Sequence, residues 1–174
     1  TARISPHLRF GEISPRTVYW AIKDRMLDRS ITKTFLRRFY WRDLAYFHHL
    51  AFPNMCDVGI RRHYDQTEWT SVSSDKGRKL FHAWKSGKTG YPMVDAGMRE
   101  LHETGWMNQS VRMVVASFLC EILNIDWRYG AKHFHQELVD ADVSINAMMW
   151  QNAGRSGIDQ WNFFMSPVNA SQDP

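Results

Sequence analysis

Three residues near the C-terminal end of the chain have the types and spacing to hold a flat ligand. Asp142, Asn146 and Trp150 recur every fourth residue, so they lie on one face if the segment is helical. A carboxylate, an amide and an indole in one row suit a planar ring with polar edges. The same residues also fit a purely structural interpretation, in which Asp140 or Asp142 caps the helix and Trp150 belongs to the core.

Arg112 is a further candidate because it is the lone charge within the otherwise apolar segment 111–119. A buried guanidinium without a carboxylate partner costs several kcal/mol. Asp140 and Asp142 are both candidates for that partner. The pair would be either architectural or a means of fixing a carboxylate beside a ligand.

Two tryptophans on neighbouring predicted helices suggest an electron path. Trp127 and Trp150 would pack as successive rings that lead from the predicted pocket toward the surface. Most paired indoles are simply core residues, and that alternative stays open.

The N-terminal residues have the chemistry of a phosphate site. Hydroxyls of Thr1 and Ser5, the guanidinium of Arg3 and the start of a helix at Pro6 would meet at one point. Ordinary capping of that helix by Ser5 explains the same pattern.

A basic and aromatic segment lies at residues 35–43. It interleaves Arg37, Arg38 and Arg42 with aromatic residues, a composition that can neutralise phosphates and stack on bases. A helix with a solvated basic face and an aromatic core face fits equally well.

Several common sites are excluded by the sequence. It contains no glycine-rich nucleotide fingerprint and no P-loop. The histidine pairs His133 and His135, and His48 and His49, do not have the spacing of metal ligands on a helix, so no metal site is predicted.

The composition is that of one globular domain. The chain has 174 residues, 44% of them hydrophobic and 14% aromatic, including 8 Trp. A net charge of +4 permits a nucleic-acid partner without requiring one. Cys56 and Cys120 are far apart, which favours a reducing compartment, and no apolar run is long enough to span a membrane. We therefore expect a soluble intracellular protein, in the nucleus, the cytoplasm or an organelle.

The elements that must position these residues are predicted to be helices only. Ser-Pro pairs at 5–6 and 14–15 predict two helix starts. Apolar periodicity and breaker residues predict further helices at 33–51, 75–86, 92–104, 108–124, 129–139 and 142–152, with loops at 54–74, 87–91 and after 154. No two-residue alternation is long enough for a sheet, so the predicted fold class is all-α.

Five segments resemble the FAD-binding domain of the photolyase and cryptochrome family, and they occur in the family's order. They are residues 1–11, Trp41 to Asp43, 83–99 (AWKSGKTGYPMVDAGMR), Thr104 to Met107, and Asp126 to Arg128 continuing to Asp140 and Asp142. The resemblance implies a helical FAD-binding domain over 1–174, incomplete at both ends. It also implies an α/β domain outside this chain that carries an antenna chromophore of the folate or deazaflavin type.

The resemblance assigns roles to the residues that stayed open above. It implies that Thr1, Arg3 and Ser5 contact the FAD phosphates. It implies that Arg112 pairs with Asp140, that Asp142 lies at the polar edge of the isoalloxazine, and that Asn146 faces flavin N5.

The same resemblance implies a tryptophan chain that reduces photoexcited flavin. Trp150 would be its proximal member and Trp127 its middle member. Trp69 is the candidate for the distal member, although it lies farther before Trp84 than the family's usual spacing.

The expected DNA-contacting positions are altered. Family members that repair cyclobutane pyrimidine dimers typically have Glu at Arg38, Trp at Asn152 and a His-Asn-Arg run at 108–110, which includes Gln109. Trp41 and Met113 match lesion-contacting positions, and Arg42 adds a basic contact. We therefore expect a blue-light-absorbing cryptochrome-like or photolyase-related flavoprotein with an unidentified signalling partner. Light-driven dimer repair on DNA is the alternative, and a helical nucleic-acid-binding module without photochemistry is the second alternative.

Overall fold

Helices form all the regular structure in the described part of the chain. A computed structural model describes residues 2–25 and 29–158, the side chains of 29–31 excepted. The helices are α1 (Ser5–Arg9), α2 (Pro15–Asp24), α3 (Arg29–Ala51), a 3-10 turn (Arg62–Gln66), α4 (Asp75–Lys85), α5 (Pro92–Thr104), α6 (Gln109–Ser117), a π-helical segment (Phe118–Ile122), α7 (Trp127–Glu137) and α8 (Val143–Ala153). The all-α prediction is confirmed. Of these described helices, none combines the length and the apolar character needed to cross a bilayer.

The two Ser-Pro pairs behave differently. Ser14 caps α2 as predicted, because its hydroxyl accepts a hydrogen bond from the Thr17 amide at 3.0 Å. The prediction that Ser5 caps α1 is wrong. Ile4 already has helical backbone angles and occupies the cap position, so Ser5 lies inside the first turn.

The predicted helices of the C-terminal half are present with shifted bounds. The segment expected at 108–124 consists of α6 and the π-helical segment, which ends at Ile122. Helix α7 begins at Trp127 instead of 129, because the Asp126 carboxylate caps it by accepting from the Arg128 amide at 2.9 Å. Helix α8 begins one residue later than predicted, after its N-cap Asp142.

The main core lies among α4 to α8 and is rich in aromatic rings. Trp84, Phe118, Trp127 and Trp150 are all buried in it. Helix α8 packs against α7 on one side and α3 on the other. It is therefore the element whose side chains reach both the main core and the basic helix α3.

The loop that follows α3 is attached to α8 by one buried amide. Gln151 is fully buried, and its Oε1 accepts from the Ile60 amide at 2.8 Å. Its Nε2 donates to the carbonyls of Met55 at 2.5 Å and Val58 at 3.1 Å. These three bonds satisfy the side chain and fix residues 55–60 against the last turn of α8.

Candidate functional site

The Arg112 guanidinium on α6 pairs with Asp140, just before α8. Its Nη2 lies 3.0 Å from Asp140 Oδ2, and its Nε donates to the Met107 carbonyl at 2.8 Å. The residues alone left Asp140 and Asp142 open as partners and the family resemblance implied Asp140, which is the partner in the structure. Only 5% of the Asp140 side chain is exposed. Among the described residues none donates to its Oδ1, which is a buried acceptor that calls for a partner.

Asp142 joins three helices. Its Oδ2 accepts a hydrogen bond from the Tyr46 hydroxyl on α3 and lies 4.0 Å from Arg9 Nε, which itself donates to the Ala141 carbonyl at 2.6 Å. The Arg42 guanidinium lies over the Tyr46 ring at 4.8 Å. Burial raises the pKa of Tyr46, and the bond to Asp142 raises it further, so the phenol stays protonated at neutral pH. Sequence reasoning missed Tyr46.

Asn146 and Trp150 face α7, as their spacing predicts. Asn146 Nδ2 donates to the Ala131 carbonyl at 2.8 Å, and the Trp150 ring meets Phe134 edge-on with a centroid distance of 5.0 Å. The expectation that Asp142 shares this face is wrong. As the N-cap it has an extended backbone, so its side chain leaves the helical row and reaches α3.

Two glycines make room for the predicted tryptophans, and both rings are buried. A Cβ at Gly130 would lie 2.2 Å from Cη2 of Trp150, and a Cβ at Gly154 would lie 2.3 Å from Cδ1 of Trp127. Trp69 is half-buried against the main core.

The predicted ring contact between Trp127 and Trp150 is absent from the described residues. Trp127 begins α7 and packs on Gly154, whereas Trp150 packs further along α7. Besides Phe134, the ring neighbour of Trp150 is Trp84, at a centroid distance of 6.2 Å. Trp84 lies in segment 83–99, one of the five segments that resemble the family, but the resemblance assigned it no role.

Among the described residues expected at the FAD phosphates, Arg3 and Ser5 do not contact each other. Thr1 lies outside the described residues. Arg3 is exposed, and its guanidinium lies over the Trp106 ring at 4.6 Å. Its φ of +48° is a left-handed conformation, which costs on the order of 1 kcal/mol for a residue other than glycine. Ser5 is half-buried at the start of α1.

The predicted DNA-contacting residues occupy two helices. Arg38, Trp41 and Arg42 lie on α3, where Arg38 is exposed and the other two are half-buried. Gln109 and Met113 are half-buried on α6. Trp41 packs against the small apolar cluster between α3 and α8.

The described helices hold a buried carboxylate that is paired with Arg112 and lies just before α8, the helix that carries Asn146 and Trp150. Residues 35–174 match the FAD binding domain of DNA photolyase. A deoxyribodipyrimidine photo-lyase from Agrobacterium fabrum is 44% identical over 168 residues, which cover 94% of this chain and 34% of that protein.

Solved structures give the same result. A class III photolyase from Agrobacterium tumefaciens has a TM-score of 0.90 at 39% identity, covering 99% of this chain and 36% of that chain. A cryptochrome from Synechocystis has a TM-score of 0.88 at 34% identity, covering 99% and 35%. The chain belongs to the photolyase and cryptochrome family and is an FAD-binding domain. It spans about a third of the length of these relatives.

The residues present fit FAD. The buried Asp140 Oδ1 has no donor among the described residues, and the isoalloxazine ring carries an imide N–H that can donate to it. Arg112 holds that carboxylate in one orientation. The assignment of FAD to these residues therefore rests on the unsatisfied acceptor Asp140 Oδ1 as well as on the family.

Proposed function

We propose that the full-length protein is a DNA photolyase, in which this chain is a partial FAD-binding domain and an antenna chromophore is bound elsewhere. The similarity to the Agrobacterium fabrum photo-lyase over 94% of the chain carries the proposal. Bound FAD supplies light absorption and one-electron transfer. The sequence favoured a light sensor, and the names of the relatives favour the repair alternative.

In this proposal the charged residues bind and orient FAD. Asp140, held by Arg112, accepts from the imide edge of the ring, and Asp142 lies at the same polar edge. Asn146 is the amide that faces flavin N5. Its Nδ2 is committed to Ala131, so the amide is held in one orientation. A backbone carbonyl that fixes a side-chain amide is a typical means of preorganising a site.

The hydroxyls of Thr1 and Ser5 and the guanidinium of Arg3 bind the FAD phosphates in this proposal. Arg3 now rests on Trp106 and would have to leave that ring or reach past it. A guanidinium over an indole retains its N–H donors at its edge, so the stacked position is compatible with an anion.

Trp150 is the proposed electron donor to photoexcited flavin, followed by Trp127 and Trp69. Trp150 is buried within the same helix as Asn146, one turn further along. Burial keeps water from the ring and fixes its orientation against Phe134.

DNA binds through α3 and the start of α6 in this proposal. Arg38 and Arg42 neutralise phosphates, while Trp41, Gln109 and Met113 contact the flipped lesion. Binding of nucleic acid without photochemistry, by the same arginines, is the weakest candidate because it leaves the buried Asp140 acceptor unexplained.

A light sensor is the second candidate function, and one residue favours it. Asn152 replaces a tryptophan that dimer-repairing members use, and it is only 3% exposed. Both of its amide atoms are buried, and neither has a hydrogen-bond partner among the residues that the structure describes. A buried small amide offers no ring on which a lesion can stack.

Illumination of the full-length protein with dimer-containing DNA distinguishes the two functions. Repair predicts loss of dimers in blue light, no loss in the dark, and a reduced rate for Trp41→Ala. Trp20→Ala is the matched control, since Trp20 is 53% exposed on α2 and has no assigned role. Photoreduction of bound flavin without loss of dimers would refute repair and favour the sensor.

A further inference from the structure

A second basic surface lies on α4 and the turn that follows it. Residues 75–88 contain five Lys or Arg and one acidic residue, an excess of four positive charges over a short segment. We call the five basic residues the α4 basic face. They are Lys76, Arg78, Lys79, Lys85 and Lys88, and all are exposed. This charge has no part in the site described above.

The helical residues of the α4 basic face lie on the outer half of a firmly anchored helix. Gly77 and Trp84 are buried on the opposite half, where Leu80 and Phe81 pack against the main core. The Trp84 Nε1 donates to the Val115 carbonyl at 3.0 Å, which fixes the helix on α6. The cations are therefore carried by a rigid element and point toward solvent.

Neighbouring carboxylates leave most of this charge unneutralised. Asp75 is the sole acidic residue of α4, and it pairs with Arg78. Across the described parts of the chain, the four lysines of the face form no ion pair. An ordinary solvated helix mixes the two signs, as α5 does with its exposed Arg99 and Glu103. The α4 basic face is instead complementary to a polyanion.

The side chains of α4 favour a duplex backbone over other polyanions. A single strand binds by stacking its bases on exposed aromatic rings, whereas both aromatic residues of α4, Phe81 and Trp84, pack in the core. A membrane-surface helix inserts its apolar side into lipid, and the apolar side of α4 is already covered by protein. Lysines are flexible point charges that neutralise phosphates without reading bases.

The size and position of α4 also suit a separate stretch of duplex. Its 11 residues extend about 16 Å, which corresponds to roughly five nucleotides along one strand. Helix α4 packs on α5 and contacts α7 through the rings of Trp84 and Phe134, whereas α3 packs on α2 and α8. The two basic helices therefore have different neighbours and present separate surfaces.

We infer that the α4 basic face binds the phosphate backbone of double-stranded DNA and requires neither a lesion, nor light, nor bound FAD. The inference goes beyond the proposed function, in which α3 and the start of α6 hold the lesion. With DNA on α3 as well, one protein molecule holds two stretches of duplex at the same time.

Direct binding is measured on the full-length protein carrying Arg37→Gln and Arg38→Gln, which weaken binding by α3. Fluorescence anisotropy should still detect binding of an undamaged duplex. The logarithm of the association constant should fall with the logarithm of salt concentration with a slope of roughly −3 to −4, from about −0.9 per lysine–phosphate contact.

Substitution of the four lysines separates charge from other effects. Lys76→Gln, Lys79→Gln, Lys85→Gln and Lys88→Gln together should weaken this binding more than about tenfold and bring the slope close to zero. Arginine at the same four positions is the matched control, because it keeps the charge and should keep both the affinity and the slope. Asp75→Asn should act in the opposite direction, since it frees Arg78 and should steepen the slope by about 0.9.

Simultaneous binding of two stretches is tested with duplex on beads. Native protein held on the beads should capture a second, labelled duplex, and the four-glutamine variant should not. Absence of duplex binding in the Arg37→Gln, Arg38→Gln protein, or a salt slope that the glutamines leave unchanged, overturns the inference. Lysine-dependent binding to phosphatidylserine vesicles with unchanged duplex binding overturns it too.

Dimer repair is scored separately, so a failure of the proposed function is distinguishable. The four-glutamine variant should repair a short dimer-containing duplex at the native rate when that duplex is saturating, because its α3 and α6 are intact. Lysine-dependent duplex binding by a native protein that repairs no dimers would refute the photolyase proposal and support the α4 site.

Discussion

Removal of either partner of the Arg112–Asp140 pair should destabilise the protein, but to different extents. Only 5% of the Asp140 side chain is exposed, against 21% of Arg112. Arg112→Met would leave a buried carboxylate with neither oxygen hydrogen-bonded, at a cost of about 3–5 kcal/mol. Asp140→Asn would leave a more exposed guanidinium that still donates to Met107, so we expect a loss of about 2 kcal/mol.

Urea unfolding of the full-length protein without added FAD, followed by circular dichroism, measures these losses. The double variant Arg112→Met with Asp140→Asn removes both charges and should cost less than the sum of the two single variants. Arg78→Met is the control, because Arg78 pairs with Asp75 on the exposed surface and should cost less than about 1 kcal/mol. The reasoning fails if Asp140→Asn is the more damaging single variant, or if the two losses simply add.

Two further predictions concern the aromatic core. Gly130→Ala should displace the Trp150 ring, because the new Cβ would lie 2.2 Å from Cη2, and it should cost about 1–3 kcal/mol with a shift in tryptophan fluorescence. An unchanged emission spectrum would contradict this packing. Burial lowers the pKa of His133 from 6.5 to about 4, so the unfolded chain binds a proton in this interval that the native protein does not. The free energy of unfolding should therefore decrease as the pH falls from about 6.5 toward 4, by at most about 3 kcal/mol. Urea titrations at several pH values should show a flatter dependence for His133→Gln than for the exposed control His135→Gln, and equal slopes would count against the assignment.

Features that depend on nearby residues could be predicted from the sequence. Ser14 caps α2, as a hydroxyl just before a proline at the first helical position predicts, whereas the same pattern at Ser5 does not produce a cap. The need of Arg112 for a carboxylate follows from its apolar neighbours alone. The apolar neighbours do not decide between Asp140 and Asp142, because that choice depends on how α6 and α8 cross; only the family resemblance implied Asp140.

Features that depend on the crossing of helices were missed. Tyr46 lies 96 residues before Asp142, and nothing in the spacing of either indicates their hydrogen bond. The contact of Trp84 with Trp150 could not be predicted for the same reason, because it joins α4 to α8. One signal was available: Gly130 interrupts a helical segment, and a glycine there often marks the close approach of a bulky neighbour.

The Gln151 amide makes the loop at residues 55–60 and the last turn of α8 a single mechanical unit. Its hydrogen bonds involve no titratable group, so this coupling persists across the pH range in which His133 changes charge. If residues 55–60 were replaced by the loop of a relative, the hydrogen bonds of Gln151, which is next to Trp150, would be disturbed. Replacing the last turn of α8 by that of the same relative would avoid this. Chimeras should therefore exchange both segments together.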